Sequence, residues 1–179
     1  LINAQQKAAS HSAAIPVQVD INNNEERTSL ITSADIVVSL LPPSLHEIVA
    51  DDCLALNKNL ATASYISPAM QARHQQVLQK GLIFLNECGL DPGIDHMSAM
   101  QIIENIKAKG GNIVSFKSYT GGLIAPQSND NPWGYKFTWN PRNVILAGQA
   151  TAKFIKDGTY KYIPYQRLFS DIETINVNN

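Results

Sequence analysis

The sequence predicts an α/β protein built around a mostly parallel sheet, and two observations carry that expectation. From residue 17 to about residue 109, short apolar runs alternate with amphipathic segments, the pattern of successive βα units. The apolar runs are rich in β-branched residues and are closed by proline, glycine or capping residues, as where Ile36-Val-Val-Ser-Leu-Leu41 meets Pro42-Pro43. A third observation limits the reach of that class. Past Gly111 the texture changes to one alternating segment and a long polar stretch, so residues 1–110 and 111–179 read as two different parts.

The elements follow in order. Val17 to Asp20 reads as a weak strand, and a short helix follows from Glu25 to Thr32. Asp35 to Leu41 reads as a buried strand that Pro42-Pro43 ends. Ser44 with Glu47 three positions later makes a capping-box pattern, and Leu45, Ile48, Val49, Cys53, Leu54 and Leu56 then recur at helical spacing. Asn59 to Ala63 is the next strand. Ser67 before Pro68 gives an N-cap and a first helical position, so a helix is expected to Lys80, with Gly81 stopping it. Leu82 to Leu85 is a further strand, and after the segment Asn86 to His96 a helix ends on Lys107, Lys109 and Gly110-Gly111. Val114, Phe116, Ser118 and Thr120 alternate as in a strand, Asn143 to Asp157 has helical apolar spacing with Gly158 beyond it, and the tail from Tyr160 to Asn179 looks extended.

Composition narrows the function. The chain has 179 residues, 44% hydrophobic and 16% charged, with 14 basic against 15 acidic side chains. A net charge of −1 offers no footprint for nucleic acid or an anionic membrane surface, both of which need clustered Lys and Arg. No apolar run approaches the roughly 20 residues that span a bilayer. The opening Leu-Ile-Asn-Ala-Gln-Gln-Lys lacks the features of a secretory signal, so a cytoplasmic protein is expected. Cys53 and Cys88 are too few and too far apart for a disulfide framework or structural zinc, and Cys53 reads as a core residue on its helix. The Ala- and Gln-rich start resembles the end of a helix and has no initiator Met, and on that ground the sequence is expected to be a piece of a longer polypeptide.

Parallel sheets place ligands at the carboxyl ends of their strands. Three such ends are unusual here: Leu40-Leu-Pro-Pro43 is stiff and apolar, Ala63-Ser-Tyr-Ile-Ser67 offers hydroxyls, and Gly89-Leu-Asp-Pro-Gly-Ile-Asp-His96 combines a rigid turn with two acids and an imidazole. Together they can line one cleft. Tyr65 is the strongest acid/base candidate by position, although a strand-end tyrosine packing its ring is as common. Asp91 before Pro92 reads equally well as an N-cap. Asp95 and His96 are adjacent on a helix, about 100° apart, with no third ligand evident, so no metal site is expected. His11, His46 and His74 read as solvated or helix-surface residues. No Gly-x-Gly-x-x-Gly fingerprint occurs, and the residues alone give an α/β domain with a cleft and an open choice of cofactor.

Five segments in order resemble the saccharopine dehydrogenase family of the glutamate-forming type, also called saccharopine reductase. They are Ser39-Leu-Leu-Pro42, Thr62-Ala-Ser-Tyr-Ile-Ser-Pro-Ala-Met70, Asn86-Glu-Cys-Gly-Leu-Asp-Pro-Gly-Ile-Asp-His96, Ser118-Tyr-Thr-Gly-Gly-Leu-Ile-Ala-Pro126 and Asn131-Pro-Trp-Gly-Tyr-Lys-Phe-Thr-Trp139. The resemblance covers about residues 15 to 165. It implies the C-terminal part of a Rossmann-type doubly wound parallel sheet over 1–110, its first strands missing, and over 111–179 the start of an α+β catalytic and dimerisation domain. It further implies a cytoplasmic homodimer acting in lysine metabolism, with hydride passing between NADP or NAD, NADP favoured, and the carbon of the secondary amine joining lysine to a glutarate unit.

By the same resemblance Ser64 and Tyr65 contact the amino-acid substrate. Leu90, Asp91 and Pro92 lie along the cofactor, Asp20 and Ile21 sit beside its adenine end, and Leu41 is beside the adjoining loop. Asn140 and Arg142 reach the substrate side, Arg142 being suited to a carboxylate by its planar donor fork. The family commonly has cysteine where this chain has Thr120, so Tyr65 and Asp91, through a positioned water, become the expected proton handlers. The family's glycine-rich pyrophosphate turn is not in this sequence, so the piece itself is expected to be inactive. With the usual strand order 3-2-1-4-5-6, the strands at Val17 and Ile36 would be separated by a gap, and the strands that remain are expected to pair differently or across edges with another copy. Two other readings compete: a carboxynorspermidine or homospermidine type oxidoreductase, and a noncatalytic module that keeps the fold.

Overall fold

The computed structural model describes residues 2–122, 124–138, 140–149, 151–170, 172 and 174. The chain divides into two compact units, the first ending at Lys117 and the second beginning at Ser118.

In the first unit α1 (Ile2–Ala8) buries no residue. The expected strand at Val17–Asp20 does not form. Val17 is exposed, and no neighbouring strand among the described residues takes up the backbone there. The chain turns instead: the Asp20 carboxylate accepts the Asn22 N–H at 2.9 Å, and the Asn23 side chain accepts the N–H groups of Glu25 and Glu26 at the start of α2 (Asn24–Ser33). The gap foreseen between the strands at Val17 and Ile36 therefore does not arise. β1 (Ile36–Ser39) pairs in parallel with β2 (Asn59–Thr62), Ser39 opposite Thr62, and β2 pairs in parallel with β3 (Phe84–Leu85), giving the order β1-β2-β3.

The connection from β1 to β2 is α3 (His46–Ala55). A single 3₁₀ turn, Pro43–Leu45, precedes it, so Ser44 lies within that turn, α3 begins after Leu45, and the expected Ser44 capping box is not made. Val49, Ala50 and Cys53 of α3 pack with Ile31, Leu60 and Met70 as the core, and Cys53 is fully buried as its pattern predicts. Burial, with the adjacent Asp52 charge, pushes its thiol up to about 11. Arg27 of α2 pairs with Asp52 of α3 and donates to the Ile21 carbonyl at 2.6 Å, so one guanidinium ties the two helices to the turn before α2.

Only one face of β1 is covered. Ser39 is buried and Val37 packs on the core, whereas Ile36 and Val38, on the other face, are 58% and 61% exposed. This corrects the expectation of a strand buried on both faces: α3 lies against one side, and no described element covers the other.

Ser67 caps the next helix as predicted, its hydroxyl accepting the Met70 N–H at 3.1 Å. The single helix expected to Lys80 is broken at Arg73 into α4 (Pro68–Ala72) and α5 (His74–Gln79). The cause is local. The Arg73 guanidinium donates to the Ala69 carbonyl at 2.7 Å, the acceptor its own N–H would use in a continuous helix, and that N–H bonds Met70 instead. The same guanidinium holds both Asp51 carboxylate oxygens. The last helix of the unit, α6 (Ile94–Ala108), ends where Gly111 N–H reaches back to the Ile106 carbonyl, with Gly110 at a φ of 76°.

The alternation at Val114–Thr120, across the boundary between the two units, does not make a strand; residues 112–122 take no regular structure. Asn140 caps α7 (Pro141–Ala147), which is shorter than the helix expected over Asn143–Asp157. Its second half is instead β4 (Ala152–Lys156), paired antiparallel with β5 (Thr159–Ile163). Asp157 and Gly158, at φ of 53° and 72°, form the tight turn between them, so Gly158 is a hairpin residue and not a helix stop. Lys153 lies 4.5 Å over the Tyr160 ring across this hairpin. Leu123 and Trp139, both in the resemblance segments, and most of the tail beyond Ser170 lie outside the described residues.

Candidate functional site

The parallel strands deliver three chain segments to one end of the sheet. β2 ends at the buried Thr62, whose carbonyl still accepts the Cys88 N–H at 3.0 Å beyond the end of β3. Two residues on, the Ser64 carbonyl accepts the Glu87 N–H at 3.0 Å, and the Glu87 carboxylate accepts the Ile66 N–H at 3.1 Å. The segments after β2 and β3 are thus tied by a ladder of main-chain and carboxylate bonds.

That ladder brings Tyr65 to Asp91. The phenol donates to Asp91 Oδ1 at 2.7 Å. The hydrogen bond to Asp91 is the main cause that raises the Tyr65 pKa to about 12, with partial burial and the charges of Asp91, Asp95 and Glu87 adding to it. The pair therefore stands at neutral pH as a phenol donating to a carboxylate, while both residues remain exposed. Asp91 is not the N-cap of α6, the alternative its Asp-Pro context allowed, because the helix starts after Gly93.

The segment that holds Asp91 folds back on itself. Gly89 N–H donates to the Pro92 carbonyl at 2.9 Å and the Gly89 carbonyl accepts the Ile94 N–H at 3.0 Å. Gly93 has a φ of 150°, and a Cβ there would stand 2.1 Å from the Gly89 oxygen, so only glycine closes this turn. Pro92 is buried beneath it, and Leu90 points outward, 68% exposed. At the start of α6 the Asp95 carboxylate accepts from Gly93 N–H at 2.9 Å and pairs with His96 Nδ1 at 2.7 Å. The bond to Asp95, and then its charge, raise the His96 pKa.

The end of β1 joins through a residue read as solvated from the sequence. His46 is 4% exposed, its Nδ1 lying 2.8 Å from Ser39 Oγ and its Nε2 2.8 Å from Ser64 Oγ. Burial lowers its pKa and leaves the ring neutral at pH 7. The signal that could have found it is positional. Pro42-Pro43 stops β1 and turns the chain back at once, so the first residue of the following helix lies over the strand end it has just left. His11 and His74 are exposed, as expected.

Of the other expected site residues, Ile21 and Leu41 pack half-buried against the core, and Asp20 holds the turn before α2. Asn140 and Arg142 belong to the second unit, where the Asn140 side chain accepts the Arg142 and Asn143 N–H groups as the cap of α7. Thr120 is exposed in the same unit. The structure joins Ser64, Tyr65 and Asp91 directly; to these it adds Ser39, His46 and Glu87, which the sequence reading did not select.

Comparison with known proteins gives a consistent picture. Residues 2–85 match the family model of the saccharopine dehydrogenase NADP binding domain, and residues 89–179 match that of the saccharopine dehydrogenase C-terminal domain. The saccharopine dehydrogenase [NADP(+), L-glutamate-forming] of Pyricularia oryzae is 42% identical over 88% of this chain and 35% of its own length. The protein of the same name from Saccharomyces cerevisiae is 37% identical over 95% of the chain and 38% of its own length. The alpha-aminoadipic semialdehyde synthase of Arabidopsis thaliana is 38% identical over all of the chain and 17% of its own length. The solved apo saccharopine dehydrogenase (L-Glu forming) from Saccharomyces cerevisiae superposes with a TM-score of 0.83 at 35% identity, covering 99% of this chain and 40% of that one. The parallel sheet with its helices is accordingly the Rossmann type. The chain spans well under half the length of each of these relatives. No helix among the described residues is long and apolar enough to cross a membrane.

Proposed function

Since the chain belongs to the saccharopine dehydrogenase family, we propose that the protein it comes from is an NADP-dependent oxidoreductase acting on the CH–NH bond of saccharopine, in lysine metabolism. The observation that carries this reading is the Tyr65–Asp91 pair beyond the carboxyl end of the parallel sheet, the end at which such sheets bind their ligands. Relatives named for NADP(+) and L-glutamate formation support the cofactor and the substrate.

The residues present fit a dinucleotide in one respect that the fold makes visible. Leu40, just after β1, and Leu90, in the turn that follows β3, stand 77% and 68% exposed, apolar surfaces of the kind a flat ring covers. Leu90, Asp91 and Pro92 with Leu41 would hold the cofactor there, and Asp20 and Ile21 would serve its adenine end. When bound, NADP supplies the acceptor or donor of hydride at the carbon beside the substrate nitrogen. The chain's own part is to hold the substrate and manage one proton. By the family resemblance Ser64 and Tyr65 would bind the amino-acid portion, and Asn140 and Arg142 would serve carboxylates.

Proton handling falls to Tyr65 and Asp91. A phenol held un-ionised to about pH 12 is a stable donor, and the carboxylate behind it can take up a proton through a bound water as the amine nitrogen loses one. Assayed with saccharopine in the intact protein, Tyr65→Phe and Asp91→Asn should each lower turnover by about a hundredfold and change the shape of its pH profile. An unchanged profile in both variants would remove the pair from this role.

A further inference from the structure

We infer that His46 is a positioning residue that orients the Ser64 hydroxyl as a hydrogen-bond donor toward the substrate, and so makes this point of the site favour a carboxylate or carbonyl oxygen. The inference rests on the saccharopine reading for the identity of the acceptor; the polarity of the relay stands on geometry alone.

The direction follows from what each atom can do. Ser39 is 4% exposed, and among the described residues the partner of its hydroxyl is His46 Nδ1 at 2.8 Å. If that nitrogen carried the ring hydrogen, the Ser39 hydrogen would be buried with no acceptor, a state folded proteins avoid. Ser39 therefore donates to Nδ1. A neutral imidazole has one N–H, which is then on Nε2 and is donated to Ser64 Oγ 2.8 Å away. The rest of Ser64 is already committed, its N–H to Thr62 Oγ1 at 3.2 Å and its carbonyl to the Glu87 N–H at 3.0 Å. What remains is the hydroxyl hydrogen and one lone pair, on a half-buried side chain beside Tyr65. With one lone pair taken by the Nε2–H, the hydroxyl hydrogen is turned away from His46 and is free to donate, and the acceptor it favours is an oxygen that carries negative charge. An imidazole locked between two serines also cannot swing away, so the selection holds before substrate arrives.

Two measurements test this. In protein labelled with ¹⁵N at histidine, His46 should show Nε2 protonated and Nδ1 bare at neutral pH, and Ser39→Ala should abolish that preference. A ring protonated on Nδ1, or on both nitrogens, overturns the relay. In the intact protein, Ser64→Ala and His46→Asn should each raise KM for saccharopine about tenfold, the cost of one hydrogen bond to a charged group. KM for NADP and kcat should stay within about twofold. The double variant should be no worse than Ser64→Ala alone, because His46 acts only through that hydroxyl. Additive losses would make His46 merely structural and overturn the proposal. Should His46→Asn fail to fold, Ser39→Ala carries the same cycle against Ser64→Ala, with a smaller rise in KM expected. Absence of any turnover of saccharopine by the unaltered protein would defeat the functional reading while leaving the tautomer result to decide the relay.

Discussion

Helices α3 and α6 come from sequence of the same kind, each with apolar residues at helical spacing and polar residues between them, yet they end in opposite situations. α3 buries His46, Val49, Ala50, Cys53 and Leu54 in ten residues. α6, with fifteen, buries none, and Ile94, Met97, Met100 and Ile102 are all about half exposed or more. Ile94, Met97 and Met100 form an open apolar strip along it among polar neighbours. The difference lies in what each helix meets. α3 returns at once over the face of β1 and β2 that carries Val37 and Leu60, whereas α6 is fixed by its ends, at the Gly89–Gly93 turn and at Gly110-Gly111. Amphipathic spacing states that a helix has a face to bury; it does not state that the partner is within the same stretch of chain.

The contrast can be broken most directly by truncation. Leu60→Ala, at a fully buried position facing α3, should cost about 2–5 kcal/mol in denaturant unfolding, whereas Met100→Ala on α6 should stay within about 0.5 kcal/mol. Equal losses would show that α6 is packed in solution and end the comparison. Next in size is Arg27→Ala, which removes both the pair with Asp52 and the bond to the Ile21 carbonyl; a loss of about 2 kcal/mol is expected from a charged, mostly shielded hydrogen-bond set. Ser67→Ala should cost about 1 kcal/mol, because its hydroxyl satisfies the Met70 N–H at the start of α4, while α6 has no side-chain cap to lose.

The smallest effect is the one that distinguishes the first turns of the two helices most cleanly. His46 opens α3 with its pKa lowered by burial, and His96 near the start of α6 has its pKa raised by the bond to Asp95. In an NMR titration His46 should therefore protonate below the ordinary histidine value of about 6.5 and His96 above it. The linkage signs are opposite. For His46 the unfolded chain binds the proton more readily, so its contribution falls as the pH drops below about 6.5; for His96 the contribution is full below that value and is lost as the pH rises through its raised folded pKa. Coincident titration of the two rings would show that neither environment persists in solution.

Much of this was legible in the sequence where the signal is local. Pro42-Pro43 after a β-branched run, Ser67-Pro68 and Gly110-Gly111 are each sufficient to place a boundary, and the boundaries lie there. Tyr65 and Asp91 were legible as candidates by their places after strands, though only the fold shows that they touch. Other signals failed because a competing local chemistry was stronger. The spacing from Asn143 onward suggests one helix, but Gly148 ends it early, and Asp157-Gly158 between Ile155 and Tyr160 is a hairpin signal that the apolar spacing obscured. Val114 to Thr120 alternates as a strand does but takes no regular structure, because alternation alone does not set a pairing register. His46 was misread because no residue type announces its own burial; the turn beneath it decides that.

The two thiols also differ in a way that is useful at the bench. Cys53 is enclosed in the core with its thiol pushed to about 11, so it stays protonated and out of reach of alkylating reagents under native conditions. Cys88 is exposed, and its N–H is bonded to the Thr62 carbonyl just ahead of the segment that carries Asp91. Within this stretch of chain a maleimide dye thus attaches at one place without mutagenesis, beside the very loop a ligand would touch, and its emission becomes a direct optical reporter of occupancy.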